Sequence, residues 1–306
     1  MIVFSFPDYA KLAQGIASSL KAPPGELEMR KFPDGERYLR IVTAVRDEDV
    51  VLVAGAVSDS STLDIFDLAC GLVGVGCRSL KLVMPFFSYS TMERATRPGE
   101  VVTAKTRARL FSAIPAAPFG NQIAMLDLHS EGIPFYFEGA MKTLHLYAKP
   151  LITREAKRLG GDAFVLGAVD AGRAKWVESL ANDMRVPAGF VYKTRKADGT
   201  VSVSGTNIPV SRKPVVIYDD MIRSGGSIIQ ACQAYREAGA SQIDVITTHG
   251  VFTVDAIEKM KKSGLIRSVT CTDSHPRALE ITDSFLKVVS TAEIFATYLE
   301  GKHHAH

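Results

Sequence analysis

The sequence predicts an α/β fold of two similar domains, each with a mainly parallel central sheet flanked by helices. Short β-branched apolar runs alternate with stretches of helical spacing, and this alternation occurs twice along the 306 residues. The strand-like runs are almost continuously apolar, which is typical of strands buried on both faces of a parallel sheet. A chain of this length can form two cores of ordinary size.

Predicted strands and helices alternate in both halves of the chain. In the first half the strands are Met1–Phe6, Arg37–Ile41, Val50–Val57, Leu80–Phe86 and Ile123–Leu128, and the helices are Thr62–Val73 and Thr103–Ser112. In the second half the strands are Ala163–Val169, Gly189–Val191, Val215–Tyr218 and Ile243–Thr248, and the helices are Lys149–Leu159, Ala174–Asn182 and Ile228–Ala238.

A seam near Leu146–Pro150 separates the two halves. We therefore expect an N-terminal domain over residues 1–147 and a C-terminal domain over residues 148–306. In open α/β sheets, ligands gather at the carboxyl ends of the strands. The residues directly after each apolar run are therefore the candidate site residues.

Composition and charge narrow the class of function. The net charge is +3 and no face-length basic block occurs, so no nucleic-acid partner is expected. The N-terminus is too short and uncharged for a signal peptide, and no apolar run is long enough to span a membrane. The four cysteines lack the spacing of a metal site, and Cys70 and Cys77 have apolar neighbours typical of buried thiols. We expect a reduced, cytoplasmic protein without a membrane partner.

The strand Val215–Tyr218 leads into a segment that combines acidic and phosphate-binding features. Two aspartates follow it, and a Gly-rich turn then opens a helix; these residues are Asp219, Asp220, Ser224, Gly225, Gly226 and Ser227. Glycines allow close backbone approach, and amide groups at a helix start favour a phosphate. Ser227 is also compatible with a simple N-cap. The paired carboxylates, which accept hydrogen bonds from sugar hydroxyls or bind Mg²⁺, favour a phosphosugar site.

Other predicted strand ends carry complementary groups. Asp127 and His129 follow one strand of the first half, and Asp170 follows the strand Ala163–Val169. Together with the aspartates above, they predict a site for a divalent metal and phosphate chemistry. Lys193, Arg195 and Lys196 lie at a predicted hairpin tip. They form either a solvated loop or a mobile positive charge that closes over an anionic transition state.

These segments together resemble the phosphoribosyl pyrophosphate synthetase (ribose-phosphate diphosphokinase) family, in the family's order and over nearly the whole chain. The matching segments are Phe32-Pro33-Asp34-Gly35-Glu36, Pro85 to Tyr89 with Thr103-Ala104-Lys105, Asp127-Leu128-His129, Asp170-Ala171-Gly172, Lys193-Thr194-Arg195 and Asp219 to Ser227. The last of these is similar to the ribose-5-phosphate loop that phosphoribosyltransferases share in outline.

The chain departs from the common family pattern at several positions. Thr91-Met92-Glu93-Arg94 stands where Arg-Gln-Asp-Arg is common, and Arg223 stands where an acid usually precedes the phosphate loop. Val169 replaces a frequent proline. These changes, with Thr-His-Gly-Val-Phe at residues 248–252, resemble the plant-type class II branch. That resemblance implies an active enzyme without the usual control by ADP.

The resemblance implies transfer of the diphosphoryl group of MgATP to the anomeric hydroxyl of ribose 5-phosphate, which gives phosphoribosyl pyrophosphate and AMP. It assigns ATP binding to Phe32, Asp34, Glu36, Glu93, Arg94 and His129. It assigns Mg²⁺ to His129 and Asp170, and the transition-state charge to Lys193 and Arg195. Ribose 5-phosphate binding falls to Asp219, Asp220 and Ser224 to Ser227. The resemblance also implies a homo-oligomer whose ATP site lies at a subunit interface.

Two other functions remain open from the residues. A phosphoribosyltransferase would use the same loop, although it needs one α/β domain and no adenine-binding half. A catalytically silent regulatory homologue would keep the fold and bind active partners. Thr91 and Arg223 favour the silent homologue, whereas His129, Asp170 and Lys193 favour catalysis.

Overall fold

The computed structural model describes residues 1–195 and 201–302, and the chain forms two compact units. The first unit contains residues 1–147 and the segment that begins at Ser290, and the second contains Ala148–Val289. Each unit has a central, mainly parallel sheet flanked by helices, so the predicted α/β class is confirmed. Among the described residues, no helix has the length and apolar character needed to cross a bilayer.

The strands and helices are numbered in chain order. The strands are β1 (Ile2–Ser5), β2 (Leu27–Lys31), β3 (Arg37–Ile41), β4 (Asp49–Val53), β5 (Ser79–Met84), β6 (Asn121–Leu126), β7 (Met141–Leu146), β8 (Val165–Ala168), β9 (Ala188–Arg195), β10 (Val201–Thr206), β11 (Pro214–Ile222), β12 (Gln242–Gly250), β13 (Val269–Thr272) and β14 (Leu286–Val289). The helices are α1 (Ala10–Leu20), α2 (Asp59–Gly74), α3 (Thr103–Ser112), α4 (Lys149–Gly160), α5 (Ala174–Met184), α6 (Gly226–Glu237), α7 (Ala256–Lys262) and α8 (Ala292–Leu299).

The sheet of the first unit is parallel throughout, with strand order β1-β4-β5-β6-β7. Its central strands are apolar on both faces because helices cover both sides; Val50 to Val53 of β4, for example, are fully buried. The strands β2 and β3 form a separate antiparallel hairpin. The sequence predicted β3, but it predicted neither β2 nor the edge strand β7.

The last helix belongs to the first unit. Phe295, Ala296 and Leu299 of α8 are buried, and the helix packs against α1. The hydroxyl of Tyr298 donates a hydrogen bond to Oε1 of Gln122 in β6, at 2.8 Å. The sequence-based division placed this helix in the domain of residues 148–306. Its apolar face is instead covered by the first unit, which is therefore assembled from two separate parts of the chain.

The sheet of the second unit has strand order β10-β9-β8-β11-β12-β13-β14. Only the β9–β10 pair is antiparallel among the described pairs. The chain passes from β8 to β9 on one side and returns through β11 on the other. The order therefore changes direction between β8 and β11, and in open α/β sheets ligands bind at this switch point.

Two buried carboxylates tie this sheet together away from the switch point. Asp244, near the start of β12, accepts hydrogen bonds from both Nε and Nη2 of Arg267, at 3.0 and 2.9 Å, and from Ser268. Burial disfavours ionisation of Glu155 in α4, but hydrogen bonds from Lys287 and Arg158 outweigh it and lower the pKa of Glu155.

Packing of α8 on α1 gives a first testable prediction. A Cβ atom at Gly15 would lie 2.9 Å from the Cβ of Ala292, so Gly15→Val forces the two helices apart. Overpacking of this kind costs about 1–3 kcal/mol. We expect Gly15→Val to lower the urea midpoint of unfolding.

The control for this variant is Gly74→Ala, at the end of α2, where an added Cβ meets nothing within 4 Å. We expect it to change the free energy of unfolding by less than about 1 kcal/mol. Equal midpoints for the wild-type protein and Gly15→Val would contradict the packing of α8 on α1.

Candidate active site

The turn after β8 carries Asp170 to the switch point of the second sheet. β8 pairs with β11 in parallel, so the carboxyl ends of both strands lie at the same edge. Oδ1 of Asp170 accepts a hydrogen bond from the amide of Gly172, at 2.9 Å, which closes the turn. Arg173 follows directly and precedes α5. The carboxylate of Asp170 is therefore held by its own turn next to β11.

The Gly-rich loop lies at the end of β11 and opens α6. Gly225 is the N-cap residue, with a φ of 77° in the left-handed region. A Cβ at this position would also lie 2.9 Å from Cγ of Met260. Both the backbone conformation and the space available therefore favour glycine here. The carbonyl of Arg223 accepts a hydrogen bond from the amide of Thr253, at 2.9 Å, which fixes the other side of the loop.

The alternative prediction that Ser227 is the N-cap is wrong. Ser227 lies within the first turn of α6, whose cap residue Gly225 has no side chain. The first amide groups of a helix have no acceptor within the helix, and the helix dipole adds positive potential there. Ser224, Gly226 and Ser227 are exposed beside these amides. The loop can thus present backbone and hydroxyl donors to an anion.

The two adjacent aspartates lie inside β11 rather than after it. The predicted strand ended at Tyr218, but pairing with β12 continues to Ile222. Asp220 is buried and forms an ion pair with Arg173, whereas Asp219 is half-buried. A hydrogen bond joins the side chains of the two aspartates, so their carboxyl groups lie together as one pair.

Asp219 and the Gly-rich loop lie at the same end of β11. Ile222, the last residue of β11, belongs to the same core cluster as Ile228 and Tyr235 of α6. The strand therefore leads directly into the loop that opens α6. A ligand bound by the loop would lie near the carboxyl end of β11, which carries Asp219.

The environment of Asp219 opposes a negative charge. Burial raises the pKa of Asp219 well above its usual range, and the charge and hydrogen bond of Asp220 raise it further. Arg173 lowers this pKa, but Asp170 adds to the increase. Such crowding of carboxyl groups at a ligand-binding edge suits sugar hydroxyl donors or a divalent cation.

Within the described part of the chain, no group of three or more His, Cys, Asp or Glu side chains is arranged to hold a metal ion. Mg²⁺ in phosphoryl-transfer sites is usually held by one or two carboxylates together with substrate phosphates. The neighbouring carboxylates of Asp170 and Asp219 fit that requirement, because both supply oxygen ligands and their mutual repulsion favours a cation.

In the first unit, the histidine motif follows β6. The backbone of Asp127 adopts a φ of 37°, and its amide donates to the carbonyl of Leu146. The next amide, of Leu128, donates to Nε2 of His145 at 2.8 Å. These contacts with β7 turn the chain sharply and leave His129 half-buried at the carboxyl edge of the first sheet.

The loop that carries Glu93 and Arg94 is attached to the segment after His129. The hydroxyl of Tyr136 donates to the backbone carbonyl of Glu93. The side chain of Arg94 is 78% exposed and lies 3.6 Å from the carboxylate of Glu93. The structure therefore joins this loop to the histidine segment and leaves the cation of Arg94 open to solvent.

The hairpin of β2 and β3 carries the remaining predicted ATP-binding residues at its tip. Gly35 has a φ of 98°, and Oδ1 of Asp34 accepts a hydrogen bond from the amide of Glu36, at 3.0 Å. Phe32 is 41% exposed and has an edge-to-face contact with Tyr38. An exposed aromatic ring beside two exposed carboxylates is available to a ligand or to a second chain.

A cavity of about 320 Å³ lies between the tip half of this hairpin, residues 29–31 and 37–39, and the start of α2. Its wall includes Phe6, Tyr9, Arg30, Arg37, Tyr38 and Asp64. Phe32, Asp34 and Glu36 are not among its lining residues. The predicted ATP-binding residues of the hairpin therefore lie outside this cavity.

The predicted catalytic cations lie on β9. Lys193 and Arg195 pair with Val203 and Val201 of β10, so the predicted hairpin exists. The predicted strand ended at Val191, whereas β9 continues to Arg195. Lys196, Ala197, Asp198 and Gly199 lie outside the described residues, and the side chains of Lys193 and Arg195 are not described, so their role stays a prediction.

Sequence reasoning missed one residue of this site, Arg173. It was not singled out because cations are common after a turn. Arg173 lies three residues after Asp170, which follows one strand, and a second strand carries Asp219 and Asp220. This combination of a cation and a second acidic strand end is a signal that indicates an ion pair. The structure supplies the partner, Asp220.

An open parallel sheet with acidic side chains and a Gly-rich helix start at its switch point is typical of proteins that bind phosphorylated ligands. Two family models match the chain. Residues 1–114 match the N-terminal domain of ribose phosphate pyrophosphokinase, and residues 167–305 match the phosphoribosyl synthetase-associated domain. The chain belongs to the ribose-phosphate pyrophosphokinase family.

Individual relatives agree with this assignment. The ribose-phosphate pyrophosphokinase of Methanothermobacter thermautotrophicus is 31% identical over 265 residues, which cover 86% of this chain and 90% of the relative. That of Fusobacterium nucleatum is 26% identical over 302 residues, covering 97% and 93%. The crystal structure of phosphoribosylpyrophosphate synthetase from Mycobacterium smegmatis matches with a TM-score of 0.85 at 26% identity, covering 98% of each chain.

The conformation of Gly225 gives a second prediction. Gly225→Ala places a side chain at positive φ and against Met260, which costs about 1–2 kcal/mol from the backbone alone. We expect a lower thermal midpoint of unfolding and weaker binding of ribose 5-phosphate in a calorimetric titration.

Gly226→Ala is the matched control for stability. An added Cβ there meets only Oγ of Ser224, at 3.8 Å, and the position has no positive φ. Its thermal midpoint should stay near that of the wild type. A Gly225→Ala protein as stable as Gly226→Ala would contradict the conformation described for this loop.

Proposed function

We propose that this chain is a ribose-phosphate diphosphokinase, which transfers the diphosphoryl group of MgATP to the anomeric hydroxyl of ribose 5-phosphate and releases AMP. The observation that carries the proposal is that Asp219 and the Gly-rich loop both lie at the carboxyl end of β11, at the switch point of the sheet. The names of the matched relatives, which cover both units of the chain, support the same reaction.

The proposed ribose site uses residues of the second unit. Amides and hydroxyls from Ser224 to Ser227 bind the 5-phosphate, and Asp219 accepts hydrogen bonds from the ribose hydroxyls. Asp220 holds the end of β11 through its ion pair with Arg173. Burial and the neighbouring Asp220 raise the pKa of Asp219, so a hydrogen-bond donor or a cation bound opposite this carboxyl group would favour its ionised form.

The proposed ATP site uses residues of the first unit and the metal. His129, Glu93 and Arg94 are proposed to bind the nucleotide, and the family resemblance assigns Mg²⁺ coordination to His129 of this unit and to Asp170 of the second. When bound, Mg²⁺ neutralises phosphate charge and orients the β-phosphorus for attack. The protein's own contribution is positioning, because phosphoryl transfer requires little covalent chemistry from side chains.

Lys193 and Arg195 are proposed to stabilise the charge that develops in the transition state. Both lie in β9, next to β8 in the same sheet. Each is expected to contribute about 2–4 kcal/mol, which corresponds to roughly 30- to 1,000-fold in turnover.

The test is formation of AMP by the purified chain. We expect AMP when ribose 5-phosphate and MgATP are both present, and none when ribose 5-phosphate is omitted. A phosphoribosyltransferase or a silent regulatory homologue would form no AMP from these two substrates. Absence of AMP would therefore overturn the proposed reaction.

The matched variants in this assay are Lys193→Ala and Lys262→Ala. Lys193→Ala should lower kcat by the factor given above, with little change in the Kd for ribose 5-phosphate. Lys262 is exposed on α7 and pairs with Glu258, so Lys262→Ala should leave kcat unchanged. Near-normal turnover of Lys193→Ala would contradict the role of this lysine.

We further propose a homo-oligomer whose ATP site takes the hairpin tip from one subunit and the histidine motif from another. The exposure of Phe32 beside Asp34 and Glu36 supports this arrangement. Tyr38 and Arg30 support one side of the Phe32 ring, and its exposed side is available to an adenine.

Mixing two inactive variants tests the shared site. Phe32→Ala and His129→Ala should each lower activity, and co-refolded mixtures should regain about a quarter of it if random dimers form, since one of two sites in each heterodimer is intact. Mixtures of Phe32→Ala with Phe32→Ala/His129→Ala provide the control. No recovery in the first mixture would place both residues in the site of one subunit.

The plant-type class II branch is the finer assignment we propose within the family. Thr91-Met92-Glu93-Arg94 and Arg223 support it. Arg223 is exposed at the loop that opens α6, so it adds positive charge near the proposed 5-phosphate site.

A further inference from the structure

Strand pairing at the switch point stops on one edge of β11 before it stops on the other. The pairing of β11 with β8 ends at Tyr218 opposite Ala168, whereas the pairing with β12 continues to Ile222 opposite Gly250. Residues 219–222 therefore have a partner strand on the β12 side only. These residues include Asp219 and lead into the phosphate loop.

An ion pair crosses the gap where the β8 pairing ends. Arg173, in the turn after β8, contacts the carboxylate of Asp220 in β11. Their side chains are 20% and 5% exposed. A desolvated arginine–carboxylate pair is strong and directional, so it holds the two chain segments at a fixed separation.

We propose that Arg173 is a positioning residue for the ribose 5-phosphate site, which anchors Asp220 and thereby fixes the neighbouring Asp219 at the entrance to the phosphate loop. This inference rests on the proposed function for the identity of the ligand. The positioning itself follows from the end of the β8 pairing at Tyr218, from the ion pair, and from the hydrogen bond between the side chains of Asp219 and Asp220. Asp219 and Asp220 thus have different tasks: Asp219 binds the ligand, and Asp220 is the internal anchor.

The same residue also couples Asp170 to the strand. Arg173 directly follows Gly172, whose amide closes the turn through its hydrogen bond to Asp170. Its bond to Asp220 therefore holds the carboxylate of Asp170 at a fixed distance from Asp219. The positions of Asp170 and Asp219 therefore both depend on the ion pair between Arg173 and Asp220, because Asp219 directly precedes Asp220 in β11.

The experiment compares two arginines that each neutralise a buried aspartate of this sheet. Arg173→Met removes the anchor at the switch point, and Arg173→Lys keeps one charge–charge contact. Arg267→Met breaks the corresponding pair with Asp244 near the start of β12, far along the strand from the Gly-rich loop. All three are made in the full chain and compared with the wild type.

We expect Arg173→Met to raise the KM for ribose 5-phosphate by about ten- to a hundredfold, and to raise the KM for MgATP as well, because the same contact holds Asp170. Arg173→Lys should recover most of the loss. Arg267→Met should lower the thermal midpoint and leave both KM values unchanged. Equal effects of Arg173→Met and Arg267→Met on the KM for ribose 5-phosphate would overturn the inference.

Amide hydrogen exchange of the peptide spanning residues 219–227 separates this inference from the proposed function, because it needs no turnover. Exchange should be faster in Arg173→Met than in the wild type and unchanged in Arg267→Met. Unchanged exchange in Arg173→Met overturns the positioning role even in an active enzyme. A wild-type chain that forms no AMP overturns the proposed reaction, while the exchange contrast still decides whether Arg173 positions this segment.

Discussion

Parallel pairing of β8 with β11 is the constraint on which the candidate site depends. It brings the carboxyl ends of two strands to one edge, although 45 residues and an antiparallel excursion separate Ala168 from Pro214 in the chain. The chain leaves β8 in one direction and β11 in the other, so their following turns diverge and leave a crevice. Asp170 and the Gly-rich loop flank that crevice because the topology allows no other place for them.

Buried carboxylates at the two ends of the second sheet differ in how fully their charge is compensated. At the start of β12, Asp244 is surrounded by donors from Arg267, Ser268 and Gln242, so its charge is compensated. At the switch point, Asp170, Asp219 and Asp220 lie close together and raise the pKa of Asp219. Removing one partner of a buried pair is destabilising because it leaves a buried charge uncompensated, so loss of Arg173 or of Arg267 should lower stability. Of these two ends, only the switch point keeps several carboxyl groups close together with their charges incompletely compensated, which is typical of a functional site.

The sequence predicted the class of fold and several elements closely. The helix α3 has the predicted bounds, Thr103–Ser112, because a polar first turn and a clear apolar face mark it. The hairpin strand β2 was not predicted, since its residues are largely exposed and charged and it is defined by its pairing with β3. The helix α8 has eight residues, too few for periodicity to identify it.

The chemistry of the site was predictable, but its geometry was not. Residue types at strand ends indicated phosphate, sugar and metal ligands without any coordinates. Whether Asp219 and Asp220 follow β11 or lie inside it depends on where the strand ends, and the sequence predicted that end four residues too early. Likewise, Gly225 rather than Ser227 is the cap because Gly225 has a left-handed backbone conformation. The sequence alone is compatible with either residue as the cap.

The position of α8 has a consequence for how the chain acquires its fold. The first unit contains segments from both sides of the second, so the second unit is an insertion within the first. During synthesis, residues 148–289 all leave the ribosome before α8 does. The second unit can therefore complete its core while α1 still lacks the helix that covers it. The face of α1 around Gly15, which Ala292 of α8 covers in the folded chain, is then the surface that a chaperone would have to protect.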